Sequence, residues 1–183
     1  MSLLRVAGSL MGLFFLVFLT GCDTSDPTSA PSSPDRGGLE ITASTETTFL
    51  TVYKSPTCGC CKEWISHIER AGFTTETRHP ANLERFKDQH GIATNLRSCH
   101  TAVSPGGYVF EGHIPARYIQ QFLDNPPADA IGLSVPGMPV GSPGMEVGDK
   151  FIPYQVLLLK HDGSTEVFAR VEQQTHQYQE GTL

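Results

Sequence analysis

From residue 49 onward, short apolar runs alternate with longer mixed segments, and the period of the pattern switches between two and nearly four. Residues 49–53 (F-L-T-V-Y) form a β-rich run that ends at a Lys-Ser-Pro-Thr turn. Residues 60–72 predict a helix, with Ile65 and Ile68 on one face and Gly72 as its stop. Residues 73–78 alternate as a strand does, and residues 81–89 predict a polar helix bearing Leu83 and Phe86, closed by Gly91. Residues 101–103 and 108–110 flank S-P-G-G and predict a hairpin. Pro115 suits the first position of a helix over 116–124, with Ile119, Phe122 and Leu123 facing inward. Residues 155–160 and 166–171 flank H-D-G-S and predict a second hairpin. The expected order is β-α-β-α-β-β-α, then a loop and a hairpin. A β-α-β half followed by a β-β-α half is the order of a thioredoxin-like domain. The expected fold class is therefore α/β and thioredoxin-like, with an added Pro/Gly/Met loop and a C-terminal β-hairpin.

The first 47 residues follow a different pattern. Residues 1–21 start with one positive charge, Arg5, and continue through an uncharged apolar stretch about as long as a secretory h-region and shorter than a spanning helix. Leu19-Thr20-Gly21-Cys22 resembles a lipobox, in which small residues precede a cysteine that is lipidated and becomes the new N-terminus. Residues 1–21 thus read as a lipoprotein signal peptide and Cys22 as the lipidation site. This places the protein in a bacterial cell envelope, anchored in a membrane and facing the periplasm. Asp23, next to that cysteine, points weakly to inner-membrane retention. Residues 22–47 are dominated by Pro, Ser, Thr and Asp and read as a flexible tether. Residues 48–175 are the expected domain and 176–183 a C-terminal tail.

Removing the leader leaves 162 residues, enough for one domain of ordinary size plus the tether. The net charge of the whole chain is −6, from 13 basic and 19 acidic residues, with no basic run. Nucleic-acid binding, which depends on neutralising phosphates, is excluded on that balance. Five acids lie in the tether, so acidity is not a signature of the domain itself.

Cysteine placement is more informative. Four of the five cysteines lie in the expected domain, three of them in Cys58-Gly59-Cys60-Cys61. Cys58 and Cys61 form a C-x-x-C pair after the first strand and at the start of the first helix. There, free backbone N–H groups and the helix dipole favour thiolate. Thiolate is both the nucleophile of disulfide exchange and a soft ligand for Cu(I). Cys60 separates the two roles, because a dithiol catalyst gains nothing from a third adjacent thiol, whereas a metal site gains a donor. Cys99, in Ser98-Cys99-His100-Thr101, stands where thioredoxin-like domains usually place a cis-proline facing the C-x-x-C. Two structural disulfides and a zinc site, mostly as Cys₃His, are competing readings. Three cysteines within four residues strain the first, and a lone Cys99 lacks the second knuckle of a Cys₄ zinc site.

His113, in Glu111-Gly112-His113-Ile114-Pro115, falls at the same end of the expected sheet as the cysteines and is a candidate ligand. His100 is a ligand or a support for Cys99. His67 lies nearly two turns past Cys60, too far to ligate, and His79, His90, His161 and His176 read as surface residues. Met138 and Met145 each follow Pro-Gly in a stretch that is neither helix nor central strand. Their thioethers are soft donors, or else part of a packed lid over the cysteines.

Taken together, T-C-G-C-C, S-C-H-T-A, E-G-H-I-P and V-P-G-M-P-V-G-S-P-G-M-E resemble the CopG-type family of periplasmic copper-resistance proteins. The resemblance spans about residues 49–168, with the four motifs in the family's order. It implies a thioredoxin-like protein that binds several copper ions through cysteines at the C-x-C-C segment, with redox chemistry between Cu(I) and Cu(II). By position it implies Cys58, Cys60, Cys61, Cys99 and His113 as copper ligands, and Met138 and Met145 as the family's loop methionines. Other copper-efflux or copper-resistance proteins, or a redox partner, are the implied partners.

Three functions stay open on the residues alone. The first is a copper-binding protein for copper tolerance, holding Cu(I) in a site or a thiolate-bridged cluster, with Cu(I)/Cu(II) redox activity alongside. The second is a thiol–disulfide oxidoreductase using Cys58 and Cys61. The third is a passive copper chaperone. Binding with redox activity is the reading that the residues favour.

Overall fold

The computed structural model describes residues 48–178, so the segments expected as signal peptide (1–21) and tether (22–47), with Cys22, and residues 179–183 lie outside the described residues. The chain runs β1 (Phe49–Lys54), α1 (Gly59–Arg70), β2 (Thr74–Arg78), α2 (Leu83–Gln89), β3 (His100–Val103), β4 (Val109–Glu111), α3 (Ala116–Asp124), β5 (Ala130–Ser134), β6 (Tyr154–Lys160) and β7 (Thr165–Val171). The β-α-β-α-β-β-α order expected from the sequence is therefore present over residues 49–124. All seven strands join one mixed sheet in the order β2-β1-β3-β4-β5-β6-β7. No helix among the described residues is long and apolar enough to cross a membrane.

Alternation along the strands divides the apolar residues between the two faces of the sheet. Leu50, Val52, Ala102, Phe110, Val156 and Leu158 point to one face, where they pack with Trp64 and Ile68 of α1 and Ile119 and Phe122 of α3. Val109 and Leu159 point to the other, where they meet Ile92 and Leu96 after α2. The sheet is thus covered on both sides.

Strand β5 does not emerge from the sequence pattern. Ala130 and Leu133 pack in the same cluster although they are three residues apart, while Ile131 packs on the opposite side. The pairing of β5 with β6 shifts register between Ala130 and Gly132. This bulge places two consecutive residues opposite one and breaks the period of two. The second hairpin is therefore not an appendage, because β5 joins β6 and β7 to the four-stranded half.

Helix α3 starts at Ala116 after Pro115, with no side-chain cap of its own. His67 supplies one from the neighbouring helix, its Nε2 accepting the Ala116 N–H at 3.0 Å. Packing runs on past residue 175, since Gln177 is buried and its Nε2 donates to the Gly141 carbonyl at 2.8 Å.

Burial lowers the pKa of His67 from 6.5 to about 4, with Arg70 adding to the shift. The folded value lies below the unfolded one. The stabilisation from the neutral ring is therefore fully present above pH 6.5 and lost as pH falls through 4. We expect chemical denaturation to show wild type losing on the order of 3 kcal/mol over that window. His67→Gln should lose much less. Equal losses in the two proteins would refute this cap.

Candidate metal centre

Strand β1 buries Leu50 and Val52 and ends at Lys54, where Pro56 and Thr57 turn the chain into α1. Cys58 is the N-cap of that helix, and its Sγ accepts the Cys61 N–H at 3.2 Å. The cap thus satisfies one of the free amides at the helix start. Cys58 and Cys61 are joined in a disulfide, whereas Cys60 and Cys99 are free thiols. Among the described residues there is one disulfide, not the two of the structural reading.

Register brings the second segment to the first. Lys54 pairs with His100 in the antiparallel β1–β3 ladder, so Cys99 falls beside the start of α1. Its Sγ lies 3.5 Å from that of Cys61 and 3.8 Å from that of Cys60, and Cys58 and Cys60 are 3.5 Å apart. The four sulfurs all lie within 4.8 Å of one another. Cys99 also belongs to a second donor group with His100 and His113. Burial, and then Cys60 beside it, push the Cys99 thiol up to about 12. Metal binding there must therefore release a proton.

His113 is held in one tautomer. Its Nδ1 lies 2.8 Å from the Pro143 carbonyl oxygen, which can only accept, so Nδ1 carries the proton. Nε2 is left with its lone pair 3.0 Å from Cys99 Sγ. Burial lowers its pKa, so the ring is neutral and able to ligate. A metal-binding histidine is typically oriented by such a bond at its other nitrogen.

His100 lies deeper. Its ring packs on Trp64, with centroids 4.3 Å apart, and meets His113 edge-on at 5.0 Å. Its Nδ1 is 3.4 Å from Cys99 Sγ, and its Nε2 is buried with no hydrogen-bond partner. Burial, followed by the charges nearby, holds its pKa well below 6.5. Soft sulfurs beside neutral imidazoles, one with an orphaned nitrogen, fit copper by donor chemistry.

The segment carrying Cys99 is anchored by a buried ion pair. Lys87 and Glu111 have fully buried side chains and meet at 2.5 Å. The Glu111 carboxylate also accepts the Ser98 N–H at 2.6 Å and the Thr101 hydroxyl at 2.5 Å, and Lys87 donates to the Ser98 carbonyl at 2.5 Å. Burial raises the Glu111 pKa, and Lys87 and the hydrogen bonds oppose that rise. Three of these contacts fall on residues flanking Cys99. Gly112, between Glu111 and His113, has φ +81, and a Cβ there would lie 2.5 Å from the Val135 carbonyl oxygen and 2.6 Å from Ser98 Cβ. Only glycine lets β4 pass so close to both segments.

The Pro/Gly/Met loop lies against both cysteine-bearing segments. Gly137 donates to the Arg97 carbonyl at 3.0 Å, and Ser98 Oγ donates to the Gly137 carbonyl. Gly144, at φ +82, lies so near α1 that a Cβ would sit 2.7 Å from both the Cys60 carbonyl oxygen and the Trp64 nitrogen. Met138 follows Gly137 and is 51 % exposed, and Met145 follows Gly144 and is half-buried. The loop thus touches both cysteine segments through its backbone, and its Pro143 carbonyl orients His113.

None of His67, His79, His90, His161 and His176 falls in either donor group. Four supporting residues were not singled out from sequence. Lys54 is 2 % exposed, with its Nζ bonded to the Ser55 carbonyl at 2.7 Å and its charge within reach of Cys60 and Cys99. Burial and then Lys62 lower its pKa. The signal was a lysine ending an apolar strand just before the cysteine motif. Glu111 was visible inside the E-G-H motif, as an acid ending an apolar strand. Lys87 looked like one more charge on a polar helix. Trp64, the chain's one tryptophan, donates to the Ile114 carbonyl at 2.9 Å and so ties α1 to the segment bearing His113.

Residues 96–145 match a family described as a protein of unknown function, DUF411. Two solved structures, forms 2 and 1 of copper resistance protein CopG, resemble the chain with 41 % identity and a TM-score of 0.65. The matches cover 69 % of this chain and 99 % and 98 % of those chains. No curated protein matches the chain.

Breaking a buried ion pair strands a charge, at a cost of roughly 3–5 kcal/mol. We expect Glu111→Gln to lose stability on that scale in urea denaturation. The double variant Lys87→Met/Glu111→Leu should recover part of it. A Glu111→Gln protein within about 1 kcal/mol of wild type would show that the pair does not hold the Cys99 segment.

Proposed function

The chain belongs to the CopG copper-resistance family, and from that premise we propose that it binds Cu(I) for copper tolerance through Cys58, Cys60, Cys61, Cys99 and His113. The observation that carries this reading is the convergence on Cys99. Its sulfur belongs both to the four-sulfur group and to the group containing the two imidazoles. A donor shared by two groups is the natural bridge between ions, which supports a thiolate-bridged cluster of several ions over a single mononuclear site. Neutral His113, with Nε2 aimed at that sulfur, completes the set. His100, whose Nδ1 lies 3.4 Å from Cys99 Sγ, is a further ligand or a close support, and Met138 and Met145 add thioethers on the loop beside the site. Copper here is cargo and redox substrate. Cys58 and Cys61 ligate only when their disulfide is reduced.

The half of the sheet formed by β2-β1-β3-β4 with α1 and α3 is read as a thioredoxin-like unit, with the cysteine motif at the start of its first helix. Lipidation at Cys22 and a periplasmic location, with the domain on a tether of residues 22–47, follow from the leader pattern. The partners are other copper-resistance or efflux proteins, or a redox partner. A second reading, thiol–disulfide exchange by Cys58 and Cys61, is favoured by the disulfide itself. That reading requires metal-free turnover of a disulfide substrate such as insulin, lost in Cys58→Ser.

After reduction and anaerobic loading, elemental analysis should find more than one copper per chain. Cys99→Ser should lower that number. One ion or fewer in wild type would remove the cluster. An unchanged content in Cys99→Ser would remove the convergence on Cys99.

A further inference from the structure

A cavity of about 380 Å³ opens where the end of α1 meets the start of α3, lined by His67, Arg70, Phe73, Arg117 and Tyr178 among others. That volume lies in the range of small-ligand sites. Phe73 and the Tyr178 ring, which meets His67 edge-on at 5.7 Å, give it an apolar wall. Among the described residues no carboxylate lines it. Its polar groups are donors. His67 is 7 % exposed, and its Nε2 accepts the Ala116 N–H, so in the neutral ring the proton sits on Nδ1. That Nδ1–H has no acceptor among the described residues. Arg117 is held in place, donating to the His176 carbonyl at 2.8 Å with its Cζ 4.9 Å from the Tyr118 ring centroid. Most of its five N–H donors remain unspent. Arg70, in the last turn of α1, forms no ion pair among the described residues.

We infer that this cavity is a binding site for an organic carboxylate, held by Arg70, Arg117 and the Nδ1–H of His67, with its apolar body against Phe73 and Tyr178. The planar guanidinium fork matches a carboxylate, and the imidazole N–H adds a donor of fixed direction. Groups that would compete are already engaged. The acid whose charge reaches His67 is Glu146, and its carboxylate accepts the Gly144 N–H at 2.8 Å and the Tyr178 hydroxyl at 3.2 Å. Carbonyls at the end of α1 are taken by the amides of Ala71, Gly72 and Phe73. Helix α3 has no side-chain cap of its own, so the positive end of its dipole adds to the two guanidiniums. An inorganic anion would satisfy the donors but leave the aromatic wall uncovered. None of these residues is a copper ligand, so this site goes beyond the copper-binding reading and can fail without it.

The test titrates sodium benzoate into the metal-free, isotope-labelled full chain at pH 7 and follows the backbone amide resonances. Saturable shifts centred on residues 67–73, 116–120 and 177–178 are expected. Benzyl alcohol keeps the ring without the charge, and inorganic phosphate keeps the charge without the ring. Each should bind roughly tenfold more weakly than benzoate, the scale of one lost charge-assisted contact. Arg70→Gln changes an exposed side chain and should weaken benzoate by about the same factor, with the rest of the amide spectrum unmoved. Arg117→Gln should do likewise. No saturable shift in wild type overturns the inference. So does phosphate or benzyl alcohol binding as tightly as benzoate, or an Arg70→Gln protein that binds benzoate as wild type does. Glu180 follows Tyr178 by two residues in the sequence, and Glu180→Gln separates a free ligand from a carboxylate of this chain. Unchanged benzoate affinity in that variant supports the free ligand. A rise of roughly tenfold assigns the cavity to the chain's own carboxylate and overturns the inference.

Discussion

The Glu111 carboxylate is the point on which the site depends. It ends β4 two residues before His113, and it accepts from Lys87, from the amide of Ser98 and from the hydroxyl of Thr101. One buried acid therefore ties α2, the segment on either side of Cys99 and the strand that delivers His113. Burying two charges costs several kcal/mol, and only a nearly complete set of hydrogen bonds offsets it. A charge pair kept on those terms restrains position. Ser98 and Thr101 are fixed on both flanks of Cys99, so its sulfur cannot drift from the start of α1. An apolar pair of similar volume would fill the space but offer no acceptor to the Ser98 amide.

A second restraint comes from the opposite side. The loop that starts at core residue Val135 and runs to Glu146 holds the site through backbone groups and close approach. The Pro143 carbonyl sets the tautomer of His113, and Gly144 lies against the Cys60 carbonyl and the Trp64 amide. The prolines and glycines that exclude helix and strand are the residues that let backbone pack this tightly. The loop is thus a fitted brace beside the site, and its methionines come with it.

Electrostatics within this frame is uneven. His100 and His113 are kept neutral by burial, so both rings offer lone pairs near neutral pH. Cys99 is pushed the other way and keeps its proton until something replaces it. Lys54 places a buried positive charge near the sulfurs, which favours thiolate once the proton leaves. Thiol, imidazole and ammonium are thus set so that a cation entering the sulfur group exchanges with a proton.

Much of this was legible in the sequence. Local periodicity marks elements from contacts between residues two to four apart, and β1, α1, β2, α2, β3, β4 and α3 all show it. The position of C-G-C-C at a helix start follows from the same local rule, and the placement of Cys99 and His113 at the same sheet end follows from element order. Strand β5 escaped because its bulge breaks the period of two, and Lys87 because a lysine on a polar helix looks like any other. The bond from Pro143 to His113 spans 30 residues and involves a backbone carbonyl, which carries no side-chain signal. Which cysteines pair and which stay free was equally undecided by spacing. The sequence by itself determined the donors and the elements that carry them. The tertiary structure decided their pairing, protonation and distances, because these depend on strand register and burial, which bring together residues far apart in the chain.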